Sequence, residues 1–479
     1  VSATAPQQQA APAGMRRIPL PTESYQHLSK PLSSKRLLNL MAEQEPADAR
    51  TDVALVPTAG LSLWKTLGTG PVWAMNSDLP GRLYAVSGTH FYRMTFDVSL
   101  PDVLIEDLGD VGTAAGPFPL VTIAVGVNAA VVCVSPNCWT CGHAGPMSQL
   151  SGTFPADGAS SVAYLDGYFV FTDFQSTSMF FICLLLDPSS FDALDFAYAD
   201  GVPNVVRRVI SHRGDIWLIG TALEIWYNSG DADFPFRRRG GGVIPNGAIY
   251  PKTAATADGS VFWVGWDGIV YRSVGYQASR VSTHAIEFIM QQYLDGNAIA
   301  LSYSLDGHVF YALTVGAETV VYDCNTKQWH NRSSTGDGNG PWLAMSAARE
   351  PGVLGDRYTG NLYFPDPTLG TEDGVPVLRR ATLPPLYPAT RRGFCSRLEI
   401  EMETGSAPPS GTIWLDWSDD GGNTFGGGPR QLSGGASGEF RKRVYATRLG
   451  SFRERMFRIS ASSRITVYAV DADITAGAS

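Results

Sequence analysis

The chain has 479 residues, 44% hydrophobic, 11% aromatic and only 17% charged, with 51 glycines, which is enough material for two or three hydrophobic cores. Such a composition excludes a coiled coil, which needs Ala-, Glu-, Lys- and Leu-rich heptads, and wholesale disorder, which goes with few aromatics and high net charge; it favours β-structure and turns. A formal net charge of −9 argues against a general nucleic-acid binder, because such proteins gain affinity by placing excess Lys and Arg on phosphates.

Taken in chain order, Val1 to Gly14 is rich in Ala, Gln and Pro and lacks the charged and apolar segments of a secretory signal, so it reads as a flexible arm. The first sixty residues have no core of their own and must dock elsewhere. Ser34 to Gln44, with Leu37, Leu38 and Met41 on one side, reads as a short helix. Beyond residue 60 almost everything reads as strands. The longest apolar run, Met179 to Leu186, is far short of the roughly 20 residues that span a bilayer, so no membrane partner is expected.

The informative feature is a repeated hairpin phrase, a turn of the Asp-Gly kind followed by aromatic and β-branched residues. It occurs at Asp166-Gly167 before Tyr168 to Phe171, at Arg213-Gly214 before Ile216 to Leu218, at Asp258-Gly259 before Val261 to Val264, and at Asp306-Gly307 before Val309 to Tyr311. Glycine suits these turns because tight hairpins that match strand twist need positive φ. The four glycines follow one another at intervals of 47, 45 and 48 residues, the length of a four-stranded propeller blade. Each phrase is followed by a further strand, and weaker copies lie at Gly81 to Tyr84, Val125 to Asn128 and Gly360 to Tyr363. The expectation is an all-β chain with a β-propeller of six or seven blades over 61–380. A series of unrelated sandwich hairpins is the competing interpretation.

One helix stands out within this region. In Ser282 to Asp295, Ile286, Ile289, Met290, Tyr293 and Leu294 share one face, with Ser282 or Thr283 as its cap. After Arg380 the composition changes. Leu383 to Pro388 is a stiff Pro-rich linker. Beyond it, Arg397 to Met402, Thr412 to Trp417, Glu439 to Tyr445, Arg455 to Ser460 and Ile465 to Val470 alternate apolar and polar residues. Residues 381–479 therefore read as a separate antiparallel, sandwich-like β-domain, with 1–60 as an extended N-terminal arm.

Three kinds of residue group are candidates for chemistry or contact. Cys138 and Cys141, with Cys133 and His143 nearby, have the two-residue gap that lets two thiolates reach one zinc, but there is no second knuckle; no metal or other cofactor is expected. Six cysteines are too few for a disulfide scaffold and suit assembly in a reducing cytoplasm. Ser418, Asp420, Gly422, Thr424 and Phe425 match the Asp-box pattern, a turn whose side chains satisfy its own amides and which carries no chemistry. A sialidase would need several such boxes, an arginine cluster, a tyrosine nucleophile and an acid. Basic clusters at Arg16-Arg17, Arg237-Arg238-Arg239 and Arg441-Lys442-Arg443 are candidates for a protein interface or for facing DNA, and Arg237 to Gly242 reads as a mobile loop. No phosphate-binding loop, zinc-protease helix or nucleophile elbow occurs, so no active site is nominated.

The stretch from Ile216-Trp217-Leu218-Ile219-Gly220 through Glu224-Ile225-Trp226-Tyr227-Asn228 to Arg280-Val281-Ser282-Thr283-His284-Ala285-Ile286-Glu287 resembles the packaged-DNA stabilisation proteins of short-tailed bacteriophages, the tail hub or nozzle proteins. Arg16 to Pro21 and the Asp419-Asp420-Gly421 turn are also similar, whereas Asp107 to Gly158 and Gly426 to Gly438 depart from the pattern. The resemblance implies a non-enzymatic component of the virion tail, assembled in the bacterial host cytoplasm. It implies a homohexameric ring below the portal and its adaptor that continues the DNA channel, retains the packaged genome until ejection, and docks tail fibres, spikes or a needle. Double-stranded DNA would pass without sequence-specific binding, and an acidic wall would keep it from sticking. The alternative is a propeller glycosidase or carbohydrate-binding module, prompted by the Asp-box and by eleven tryptophans that could stack on sugars.

Overall fold

A computed structural model describes residues 14–44, 51–96, 102–115, 120–175, 177–248, 250–292, 298–388, 391–403, 412–426, 429–433 and 441–477. Most of the arm expected over Val1 to Gly14, and most of the glycine-rich stretch after Gly426, lie outside these residues.

The four hairpin phrases form turns of one kind. Asp166 and Gly167 have φ of 51° and 92°, Arg213 and Gly214 53° and 77°, Asp258 and Gly259 45° and 60°, and Asp306 and Gly307 50° and 83°. Two successive positive φ values define the turn whose twist matches a right-handed pair of strands. Each turn joins the first and second strands of an antiparallel sheet, as in Leu165↔Tyr168 and His212↔Asp215.

These sheets are propeller blades. Six are built from consecutive strands: blade 1 over 72–110, blade 2 over 121–149, blade 3 over 159–198, blade 4 over 206–244, blade 5 over 255–280 and blade 6 over 299–332. A seventh is composite. Ala344–Ala348, Val353–Asp356 and Asn361–Asp366 supply three strands, and the fourth is Gly60–Thr66, paired antiparallel with Asn361–Asp366 (Leu362↔Lys65). A strand from before blade 1 thus completes the last blade and closes the ring.

Adjacent blades pack face to face, so both faces of a strand are buried and its sequence reads as an apolar run rather than an alternation. In blade 2, Ala130, Val132 and Val134 pack on Tyr84, Val86 and Phe91 of blade 1, while Val131 and Cys133 pack on Val162, Phe169 and Phe171 of blade 3. Aromatic rings fill these gaps; Phe154 meets Phe171, Phe181 and Phe191 edge-on at 5.2–5.8 Å. Helix α1, His284–Gln292, buries Ile286 and Met290 among residues of blades 5 and 6. Ser282 Oγ donates to Glu287 Oε1 at 2.6 Å across its first turn.

The helix expected over Ser34 to Gln44 is instead two strands, Ser34–Leu38 and Leu40–Gln44. Asn39 between them has φ of 52°, a left-handed conformation that no helix interior admits and that Asn tolerates better than most residues. Its amide Nδ2 donates to Ser333 O and Leu378 O, both at 2.8 Å, so tertiary bonds fix the break.

Both chain ends build one sandwich. One sheet runs Leu40–Gln44, Val53–Pro57, Thr466–Ala476, Gly393–Glu403, Lys442–Thr447, with Met15–Ile18 also on Thr466–Ala476. The facing sheet runs Ser34–Leu38, Arg379–Thr382, Met456–Ala461, Thr412–Ser418, Arg430–Ser433. Ile18, Leu37, Leu40 and Leu55 lie in the same core as Leu398, Ile400, Phe457 and Ile459. Burying those four N-terminal side chains is worth about 1.5–3 kcal/mol each, so this segment is part of the domain rather than a strap laid on it. Arg379–Thr382 spans the boundary expected at 380/381. Through the single parallel pairing Leu38↔Asn331, the second sheet continues into blade 6.

Candidate functional site

The innermost strands of the seven blades surround an axial cavity of about 1230 Å³. A five-residue strand is about 17 Å long, so the cavity averages about 12 Å from wall to wall. At the end where these strands begin, Trp73 and Lys252 approach each other from blade 1 and from the turn before blade 5, the ammonium 6.0 Å from the ring centre. Beside them Arg208 donates from Nη1 to Pro251 O at 2.8 Å, while its Nε is buried with no partner. Burial pulls the Arg208 pKa down to about 10 and lowers that of Lys252. Asp78, His212, Asp258 and Arg349 lie towards the other end. The sequence pattern does not single out Arg208 or Lys252. The signal, an Arg pair inside the apolar first strand of blade 4, becomes informative only once that strand is known to face a cavity.

The basic clusters are held by acids of their own sheets. Arg237 to Arg239 lie on the outer strand of blade 4, Phe236–Ile244, rather than in a loop. The strand bulges against Leu223–Asn228 between Glu224 and Trp226, and Gly241, at φ of 71°, absorbs the extra residues. Arg237 pairs with Asp231, Arg238 with the fully buried Glu224 at 3.7 Å, and Arg239 with Asp215 at 2.8 Å while lying 4.4 Å from the centre of the Tyr227 ring. In the sandwich, Arg17 binds Asp471 at 2.7 Å, and Arg441 and Arg443 share Glu401 at 3.3 and 3.4 Å. Lys442 lies on the same strand as Arg443, and Arg16 is exposed beside Arg17. The structure therefore brings none of the three clusters into the cavity, and most of their charge is balanced locally.

The cysteines do not converge. Cys138 faces Cys133 across the hairpin and packs towards blade 3, whereas Cys141 packs towards blade 1. Residues three apart on a strand point to opposite faces, so Cys138 and Cys141 cannot close on one ion. Burial raises both thiols, Cys141 to about 11. His143 is bound at both ring nitrogens, Nδ1 to Tyr84 Oη at 2.8 Å and Nε2 to Gly126 O at 3.0 Å. Among the described residues no group of three or more His, Cys, Asp or Glu side chains is placed to hold a metal, and no helix is long and apolar enough to cross a membrane.

The Asp-box is bonded to itself. Asp420 accepts from Ser418 Oγ at 2.6 Å, from the Asn423 and Thr424 amides at 2.9 Å, and from Thr424 Oγ1 at 2.6 Å. Hydrogen bonds from Ser418 and Thr424 hold its carboxyl far below the usual carboxylate range. The Gly422 amide donates to Ser418 Oγ at 2.8 Å, and Phe425 packs 4.0 Å under the Arg458 guanidinium. Next door, Asp419 takes two 2.6 Å bonds from the buried Arg455. The turn leaves no free carboxylate for acid or base work.

A further cluster, without a marker in the sequence, lies at the joint of blades 6 and 7. Glu372, buried, accepts from Arg332 Nη2 at 2.8 Å, from Trp342 Nε1 at 3.1 Å and from Ser334 Oγ. Arg332 also donates to Ala59 O at 2.7 Å and stacks 4.0 Å over Trp342. Arg379, fully buried nearby, donates only to the Gly370 and Val377 carbonyls.

Comparison with known proteins places both parts of the chain. Residues 17–369 match a family model described as bacteriophage P22 Gp10, beta-propeller, and residues 380–475 match the P22 Gp10 beta-sandwich. No curated protein matches. Similar solved structures include a streptogramin B lyase (9% identity, TM-score 0.44, 64% of this chain and 97% of that one), the WD40 propeller domain of Doa1 (10%, 0.39, 64% and 96%) and YCF48 bound to D1 peptide (10%, 0.40, 66% and 99%).

Proposed function

The chain belongs to the family of bacteriophage P22 Gp10, virion structural proteins that stabilise packaged DNA, and on that premise we propose that it is the tail hub or nozzle subunit of a short-tailed phage. It forms a homohexameric ring below the portal and adaptor, continues the DNA channel, and offers a collar for tail fibres, spikes or a needle. The observation that carries this reading is the order and extent of the match: propeller and sandwich follow one another over 17–475 of a single chain.

The fold supports a particular path for DNA. The propeller axis, about 12 Å from wall to wall, is narrower than a B-form duplex, whose grooves alone are about 8.5 and 7.5 Å deep on either side of the base pairs, and Trp73 and Lys252 line one end of it. A duplex must therefore run between copies, past their outer surfaces. The net charge of −9 and the locally paired arginine clusters favour passage without tight binding. Contacts between copies would draw on exposed apolar surface, of which blade 3 offers Leu185, Leu194, Phe196 and Tyr198 at its outer edge.

Mass photometry of the purified chain, alone and with the phage's adaptor ring, tests the proposal. Hexamers in either condition are expected. Monomers in both would overturn it.

A further inference from the structure

A charge drawn part-way out of water gains from a counter-charge, and the end of the axial cavity where the innermost strands begin holds two half-buried cations with no ion pair among the described residues. Arg208 is half-buried in the cavity wall. Its one hydrogen bond goes to a carbonyl, Pro251 O, and its Nε has none. Lys252 extends into the cavity towards the Trp73 ring, with no ion pair to any described Asp or Glu. The remaining charged wall groups do not compensate them. Asp258 pairs with Arg272 at 3.6 Å, Asp78 accepts from Asn76 at 2.8 Å, His212 bonds Gly259 O at 3.2 Å, and Arg349 is itself basic. All four lie at or beyond the far ends of the innermost strands, whereas Trp73, Arg208 and Lys252 cluster where those strands begin.

The geometry points to an anion-binding site at this end of the cavity, in which Arg208 and Lys252 take the phosphate or carboxylate group of a small ligand. Arg208 supplies a planar fork suited to an oxyanion, and Lys252 a mobile point charge. Trp73 gives an aromatic wall, and Ile123, Ile210 and Leu301 give apolar ones. The volume of about 1230 Å³ is ample for a small molecule and excludes a duplex. Burial, which lowers both pKa values, is the same desolvation that an anion would relieve. The site belongs to each single propeller and does not depend on ring formation.

The test is titration of the full chain with inorganic phosphate and, separately, with succinate, each against sodium chloride at equal ionic strength, followed by melting temperature and tryptophan fluorescence. A saturable rise in melting temperature is expected with at least one of the two. Phosphate alone would assign a phosphate ester, succinate alone a carboxylate, and both a site open to either oxyanion. Trp73→Phe should keep the melting shift and lose the fluorescence response. Lys252→Met removes an ammonium that makes no hydrogen bond, so it should fold and weaken binding about tenfold or more. Arg208→Lys, keeping the charge and losing the fork, should also weaken it. No saturable response beyond that of chloride, or an unchanged response in both variants, would overturn the assignment.

Discussion

Replacing Glu372 by Gln should be among the most damaging single changes this chain can receive. Among the described residues Glu372 is the one carboxylate paired with the buried Arg332, and its charge also faces the fully buried Arg379. Gln keeps the shape and some of the hydrogen bonds but leaves two guanidiniums without a counter-charge. Breaking a buried pair in this way costs about 3–5 kcal/mol, a large part of a domain's total stability of about 5–15 kcal/mol. At about 2–4 °C per kcal/mol for a large domain, the melting temperature should fall by roughly 6–20 °C. Thermal unfolding by circular dichroism measures this, with Glu318→Gln as control. Glu318 is partly exposed and meets Arg36 at 3.4 Å, a longer and better-solvated pair whose loss should cost clearly less. The double variant Arg332→Met, Glu372→Leu removes both charges and should recover part of the loss. A Glu372→Gln protein within 1 kcal/mol of the parent, or a double variant no better than the single one, would refute the reasoning.

Three other outcomes follow from the same structure. His330 is buried with Nε2 unpartnered, and burial together with Arg332 pulls its pKa to about 3; between about 3 and 6.5 the unfolded chain binds a proton that the native chain refuses, so stability rises with pH there. At pH 5 the deficit is about 2 kcal/mol, and urea midpoints of the parent and His330→Asn should converge as pH falls from 7 to 5; parallel curves would contradict this. Leu37→Ala, in the segment before the propeller, should destabilise the sandwich by about 3–5 kcal/mol, as a core leucine does, read as early cleavage within 381–479 in limited proteolysis. Gly214→Ala meets no atom within 4 Å, so its cost, about 1–2 kcal/mol by denaturant unfolding, isolates the φ of 77°.

What the sequence makes legible here is local. The Asp-Gly turns declare themselves because positive φ at two successive residues restricts composition, and their spacing carries the blade period. Helix α1 is readable because Ile286 and Met290 repeat at helical spacing, but the expected cap does not form: Thr283 Oγ1 has no partner, and Ser282 Oγ bonds Glu287 and the Val270 amide instead. Ser34 to Gln44 misleads because Leu37, Leu38 and Met41 suit either a helical face or two short strands, and Asn39, held by Ser333 and Leu378 almost 300 or more residues away, decides between them. The closing pairing of Gly60–Thr66 with Asn361–Asp366 is as distant in sequence, and so are the pairings of the N-terminal strands with Arg379–Thr382 and Thr466–Ala476 in the sandwich. At the sites, the Asp-box is legible because all its bonds fall within five residues or so. The cations on the propeller axis are not, because Arg208 and Lys252 sit on neighbouring blades, and Lys252 reaches Trp73 of blade 1 only through the closure of the ring.

Electron microscopy of particles assembled with the adaptor ring tests the central claim most directly. The account predicts six copies around an opening wide enough for a duplex, with DNA density between the subunits and none along any propeller axis. Isolated single subunits, or a duplex threaded through a propeller, would contradict it.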